Sequence, residues 1–400
     1  MAAWDDYVGE GHLDAIRNGA AHDLTRGFKQ KNFWVMETQP GNVNWAPINN
    51  SLDKGEVRAM AWHDVGHGAD AVSYWQWRSA LNGQEEYHGT LLGSDGTPVP
   101  LYAEVAQVGK EFAKAGPVLA GTSVKSDVAV LHSYDSRWAI QWQKHNDKYD
   151  PVEEILSYYG PLRVIAQSVD IVSPTASLSQ YKLVVAPGLN VLTDAAAKNL
   201  IAYVQGGGHL VLGQRSGMKD DDNSLQPERQ PGPLAVLLGG RVEQYYALLQ
   251  AVPVQGNWGT GQSQLWAELL SAKDRGTEVL MRYGKSNGWL DGQPAAISRK
   301  VGNGRITYIG AWLDPKTMTE AAKWMTATSG VTPVFGPVPT GVEASARYGS
   351  HGAVFIVINL SGKPQAITLP HEMNDVLEGG SKRSVNLANY GVAVLSVAAR

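Results

Sequence analysis

Residues 32–45 read NFWVMETQPGNVNW, and how that stretch is parsed decides the fold. Phe33, Trp34, Val35 and Met36 form a short apolar run, aromatic and β-branched, with no helical spacing. The run predicts a buried strand. Glu37, a lone carboxylate, stands at its C-terminal end. Pro40 and Gly41 break the strand, and Asn42, Asn44 and Trp45 follow in a loop. A carboxylate at the C-terminal tip of a buried parallel strand lies where α/β barrels keep their chemistry. Aromatic and amide side chains on the loop behind it suit a pocket for a polar ring such as a sugar.

The neighbouring segments support this parse. Before the strand, Leu13, Ile16, Ala20, Leu24 and Phe28 recur at spacings of three and four, which predicts an amphipathic helix over 12–30. After it, 51–67 reads as a second helix, with Val57, Met60, Ala61 and Val65 on one face. A second strand follows at 71–77 (AVSYWQW), then the polar loop RSALNGQEEYHG and a helix at 103–115. The alternation of helix and strand predicts a parallel α/β layer. Glu85, Glu86 and His88 lie in the loop after the second strand. Two consecutive parallel strands would thus end in catalytic-type side chains on the same face.

Around 116–125 the pattern resets. DVAVLH at 127–132 and 183–186 read as strands, 151–167 and 194–205 as helices, and 209–213 as a third strand. That succession predicts a second domain of doubly wound type. It continues to about 335, with strand candidates at 278–283 and 305–309 and a helix at 315–328. From 342 onward come short strands and turns, VFIVINL, QAITLP, SVNL and GVAVLSVA, expected to form a β-sandwich of about sixty residues, small for an independent core.

Composition narrows the function classes. A net charge of −4 gives no basic surface for nucleic acid. The absence of cysteine excludes disulfides, thiolate metal sites and a cysteine nucleophile. No apolar run approaches a membrane span, and MAAWDDYVGEGHL is not a signal peptide. The bias to 13 Trp and 16 Tyr against 5 Phe fits sugar stacking. His63 and His67 have the i, i+4 spacing of a helical zinc site. Asp64 replaces the motif's Glu, however, Gly66 weakens the helix, and no third ligand is apparent, so no metal is expected. Gly206-Gly207-Gly208 precedes a strand instead of following one, which predicts a tight turn and not a phosphate cradle. Asp220, Asp221 and Asp222 read as solvated acids, and no nucleophile elbow surrounds His132, Ser133 and Asp135.

With METQPGNVNW at 36–45, and GQEEYHG at 83–89 after WQWR at 75–78, the sequence resembles a glycoside hydrolase family 42 β-galactosidase. The segment starting DVAVLHSYDSRWAIQW at 127 resembles that family's trimerisation domain, and the C-terminal segment its small β domain. The resemblance implies an incomplete (β/α)8 TIM barrel, its last two βα units, over 1–118. It implies a flavodoxin-like doubly wound trimerisation domain over 119–335 and a small β-sandwich over 336–400. It also implies a retaining β-galactosidase, with Glu37 as nucleophile, Trp45 walling the galactose subsite, and Glu85 and His88 hydrogen-bonding sugar hydroxyls. No cofactor, nucleic-acid or membrane partner is implied. A galactoside substrate, a homotrimer and a cytoplasmic location are. The family's barrel needs eight strands and about 250 residues, and its acid/base is a Glu after an Asn. No Asn-Glu dipeptide occurs among the 400 residues. The expectation is a C-terminal piece, with an N-terminal barrel segment and the proton donor missing. The alternatives are a non-catalytic sugar-binding or assembly subunit and an α-L-arabinopyranosidase.

Overall fold

Phe33–Thr38 does form a strand, and it is the middle one of three. In the computed structural model, which describes residues 1–399, Ala2–Asp6 (β1), Phe33–Thr38 (β2) and Ala69–Tyr74 (β3) make a parallel sheet in the order β1-β2-β3. Helices α1 (Ala15–Gly27) and α2 (Glu56–Gly66) are the crossovers, and α3 (Tyr102–Leu119) follows β3. Asp14 caps α1, its carboxylate accepting the backbone N–H of Ile16 and of Arg17 at 3.0 Å each.

Three expectations need correction here. The sequence pattern predicts two strands before the second domain, but β1 adds a third parallel one. Its sequence, AAWDD, has no apolar run to mark it. The strand at 33–36 is buried on one face only: Phe33 and Val35 are fully enclosed with Ala69, while Trp34 and Met36 remain 40% and 46% exposed. This is the two-residue alternation of a half-covered sheet. Of the apolar stripe assigned to 12–30, Ala20 is buried and Leu13, Ile16 and Leu24 are half-buried, but the stripe is not the helix's most enclosed side. Phe28 is 56% exposed, whereas Asn18, His22, Asp23 and Arg26 are buried.

The chain divides into two compact units. One comprises 1–125 together with the residues from Pro333 onward, and the other 126–332. In the first unit, β4 (Ser123–Val124) pairs with β16 (Val342–Gly349). Beyond it lie β17 (Gly352–Asn359), β18 (Gln365–Asp375), β19 (Ser381–Leu387) and β20 (Val392–Ala398). The expected sandwich is instead one six-stranded sheet, ordered β19-β18-β20-β17-β16-β4. One face packs Phe355, Val357, Ile367 and Leu395 together. The alternate residues Val354, Ile356, Ile358 and Val394 pack on Ala59 and Trp62 of α2 and Ala115 of α3. A sheet that buries both faces in this way needs no second sheet.

In the second unit, β5 (Val128–Leu131), β6 (Asp170–Val172), β7 (Leu183–Ala186) and β8 (His209–Leu212) are parallel. With β14 (Gly304–Ile309), parallel to β8, they stand in the order β6-β5-β7-β8-β14, the flavodoxin-like 2-1-3-4-5 arrangement. Helices α4 (Tyr134–Trp142), α5 (Pro151–Ala166) and α6 (Asp194–Gln205) accompany them. Every residue of β5, β7 and β8 is buried, as a doubly covered parallel sheet requires. The sheet continues antiparallel through β13 (Pro294–Val301), β12 (Thr277–Tyr283), β10 (Val252–Gly256) and β11 (Gly259–Ala272). β11 also pairs with β9 (Gly240–Ala247) and β15 (Ala311–Leu313). These hairpins lie outside the doubly wound pattern read from sequence. A short helix, α7 (Ala235–Leu238), precedes β9, and α8 (Pro315–Thr328) closes the unit.

Candidate active site

The C-terminal ends of β1, β2 and β3 lie side by side, and each contributes to one polar cluster. Tyr7 follows β1 directly, Glu37 is the penultimate residue of β2, and Trp75 follows β3. Tyr7 Oη donates to Glu37 Oε2 at 3.1 Å. Burial pushes the Tyr7 hydroxyl pKa upward, and the neighbouring negative charge of Glu37 adds to the effect. Tyr7 therefore stays a neutral donor to the carboxylate across the physiological range. The sequence reading missed it because no strand was assigned before it. The signal available was an aromatic hydroxyl directly after the WDD of β1.

Two loops complete the cluster. They are tied together where Gly89 donates its N–H to Asn42 O at 2.8 Å and Asn42 Nδ2 donates to Tyr87 O at 3.0 Å. Nothing larger than glycine fits at 89: a Cβ there would lie 2.7 Å from Asn42 N and 2.8 Å from Asn42 O. Asn44 donates through Nδ2 to Gln84 O, so its Oδ1 is the acceptor facing His88 Nδ1 at 3.0 Å. His88 thus carries its proton on Nδ1 and leaves a lone pair on Nε2. Among the described residues that buried Nε2 has no hydrogen-bond partner of good geometry, the backbone of Trp75 being a polar neighbour of the ring. Burial lowers the His88 pKa, against the opposing pull of Glu85 and Glu37. The ring is therefore neutral at pH 7, an acceptor waiting for an O–H.

Glu85 is half-buried, and its Oε2 accepts from Trp75 Nε1 at 2.9 Å, which leaves Oε1 for another donor. Glu86 is exposed. Trp45 is 57% exposed and stands edge-on to Tyr7, with ring centroids 5.6 Å apart; Tyr7 is likewise edge-on to His88 at 6.0 Å. Glu37, Trp45, Glu85 and His88 thus gather around Tyr7. The cluster offers a carboxyl group, an aromatic wall and two acceptors for hydroxyl groups.

Other motifs lie apart from this cluster. Gly206-Gly207-Gly208 makes the turn from α6 into β8. Asp220 Oδ1 accepts the backbone N–H of Asp222 at 3.0 Å and of Ser224 at 2.9 Å, which folds the acidic run into a loop. Among the described residues, no helix is long and apolar enough to cross a membrane.

Family models match in three segments: the beta-galactosidase model over 1–115, the beta-galactosidase trimerisation domain over 126–332, and the beta-galactosidase C-terminal domain over 341–396. A β-galactosidase of Halorubrum lacusprofundi is 37% identical over 365 residues, covering 86% of this chain and 51% of that protein. A β-galactosidase of Alicyclobacillus acidocaldarius is 29% identical over 421 residues, covering all of this chain and 60% of its own length. The crystal structure of a β-galactosidase from Bacillus circulans sp. alkalophilus superposes with a TM-score of 0.93 at 26% identity, covering 98% of this chain and 59% of that one. The chain spans between half and two thirds of the length of these relatives.

Proposed function

The chain belongs to glycoside hydrolase family 42, and from that premise we propose that it supplies the nucleophile side of a retaining β-galactosidase site. The observation that carries the proposal is Glu37. It is a carboxylate at the C-terminal end of the central parallel strand, held by the Tyr7 hydroxyl at 3.1 Å and flanked through Tyr7 by Trp45 and His88. In this role Glu37 attacks the anomeric carbon and the glycosidic oxygen leaves, giving a glycosyl-enzyme ester. A second carboxyl, about 5–5.5 Å from the first in retaining enzymes, protonates the leaving oxygen and then activates the water that releases the sugar. The family pattern for that residue, Glu after Asn, is not found among the 400 residues, so the proton donor is proposed to come from sequence outside them.

The remaining residues act on the sugar. The exposed indole of Trp45 offers an apolar face to the pyranose ring. His88 Nε2 and Glu85 Oε1 accept ring hydroxyl protons. Tyr7 is a positioning residue, fixing which Glu37 oxygen is free to attack. An α-L-arabinopyranoside lacks only the C6 hydroxymethyl of a galactoside and would meet the same contacts. The trimerisation-domain match over more than half the chain supports a homotrimer and a division of the chain near 118 and 335.

The test is covalent. In an active enzyme containing this chain, a 2-fluorogalactoside with a good leaving group should esterify Glu37, and Glu37→Gln should lose turnover. A label on any other residue overturns the assignment. Binding of galactose that survives Glu37→Gln, with no label in the wild type, would instead favour a sugar-binding subunit.

A further inference from the structure

Buried ionisable side chains line the first unit away from the sugar site. His63 and His67 stand one turn apart on α2, ring centroids 4.4 Å from each other, both fully enclosed. Glu343, from β16, closes on them. Its Oε1 lies 2.9 Å from His67 Nε2 and 3.5 Å from His63 Nε2. This is the third ligand that the sequence reading could not find, brought in from 276 residues along the chain. One ligand atom from each of the three residues lies within 4.8 Å of the others. A tetrahedral zinc with ligands at about 2.0–2.1 Å sets its donor atoms about 3.3 Å apart, and the two short edges straddle that value.

The surroundings favour a cation. His67 Nδ1 lies 2.8 Å from Asp23 Oδ1, and Arg26 Nη1 donates to that same carboxylate at 2.5 Å. A carboxylate oxygen thus lies against each nitrogen of the His67 ring, Asp23 at Nδ1 and Glu343 at Nε2. Two largely buried carboxylates closing on one imidazole make the pocket favourable for positive charge. A carboxylate behind the histidine is also the usual outer shell of a metal-bound imidazole. His63 Nε2 has only the long 3.5 Å contact to Glu343 Oε1, and among the described residues His63 Nδ1 has no hydrogen-bond partner, a costly state for a buried imidazole. His22, on the other side of His63, is already committed. Its Nδ1 accepts from the Trp4 indole at 3.2 Å and its Nε2 faces Asp64 Oδ1 at 3.0 Å.

We propose that His63, His67 and Glu343 bind one divalent transition-metal ion of the zinc type, with Asp23 as the positioning residue behind His67. Two imidazoles and one carboxylate, without sulfur, suit Zn2+, Co2+ or Ni2+ and not Ca2+ or Mg2+. The ion would clamp α2 to β16, joining the two chain segments that make up this unit. The proposal does not depend on the glycosidase reading.

The test uses the untagged chain, stripped with EDTA and titrated with Zn2+ in a calorimeter and with Co2+ in an absorption cell. The expected results are uptake of one ion per chain, a melting temperature several degrees higher with Zn2+, and the intense visible bands of four-coordinate cobalt. His63→Asn and Glu343→Gln should each weaken binding by at least tenfold. His12→Ala should leave it unchanged, since His12, with Asp53 and the buried Glu56, forms a separate cluster that could compete for the ion. No stoichiometric uptake, or uptake lost only in His12→Ala, would overturn the proposal. If the His63 and Glu343 variants fail to fold, the wild-type cobalt spectrum decides: the weak bands of six-coordinate cobalt refute the site.

Discussion

Among the described residues, Tyr7 is the one side-chain donor to Glu37, so the cost of losing it follows from general magnitudes. A hydrogen bond to a charged group contributes about 1.5–3 kcal/mol. Tyr7→Phe in an active enzyme should therefore lower kcat by about 10- to 100-fold while the fold stays intact; unchanged kcat would remove Tyr7 from the mechanism. A second residue, Glu154 on α5, makes a prediction about stability. Burial raises its pKa to about 8 from an ordinary value of 4.5, although Tyr149 Oη donates to its Oε2 at 2.6 Å. Between those two pH values the native state keeps a proton that the unfolded chain has released. Native stability must then fall as pH rises through that window. Glu154→Gln should flatten the slope, so that its stability relative to wild type grows with pH in urea titrations; a constant difference would show Glu154 is ionised when folded. Glu37, Trp45, Glu85 and His88 were legible because each stands in a short motif next to a strand-ending signal. Tyr7 was not, because its strand has the composition of a loop.

At the scale of elements, periodicity located most helices and strands but misjudged what they bury. The apolar spacing of α1 is real, yet most of its enclosed residues are polar, because His22 meets Asp64 of α2 and Asp6 of β1, and Asp23 meets His67 at the end of α2. Hydrophobic pattern cannot anticipate a polar interface whose members satisfy one another. The C-terminal strands were legible singly. Their assembly into one sheet was not, since β4 joins from 123–124 and α2 and α3 cover the second face. The two loops of the sugar site form an element of their own, and Gly89 is their tightest point. Gly89→Ala pushes a methyl into the Asn42 backbone and should cost about 1–3 kcal/mol of stability. It should also raise KM for galactosides, by moving His88 and Trp45 apart. A variant that melts and binds like wild type would show that the loops yield freely.

For the whole molecule, residues 1–125 hold a three-stranded parallel sheet, whereas the (β/α)8 barrel expected from the resemblance requires eight strands. One face of that sheet carries Trp34 and Met36 uncovered. The chain on its own should therefore turn over lactose negligibly. Loss of general-acid help costs about 10²–10⁴-fold, with least effect on a dinitrophenyl leaving group that needs no proton. Lactose hydrolysis at about 10 s⁻¹ by this chain alone would refute that reading. Light scattering should find trimers, and a stable monomer at micromolar concentration would count against the homotrimer. A different consequence follows from the order of the chain. Residues 126–332 leave the first unit after β4 and return to it before β16, so both of their ends are anchored in the same unit. If the chain is stretched between handles near residues 2 and 399, tension runs through the first unit alone, and the inserted one stays mechanically shielded. In an optical trap the first unit should rupture before the insert is loaded. The insert's 207 residues should then release a second length step, about 700 Å at 3.3–3.6 Å per residue.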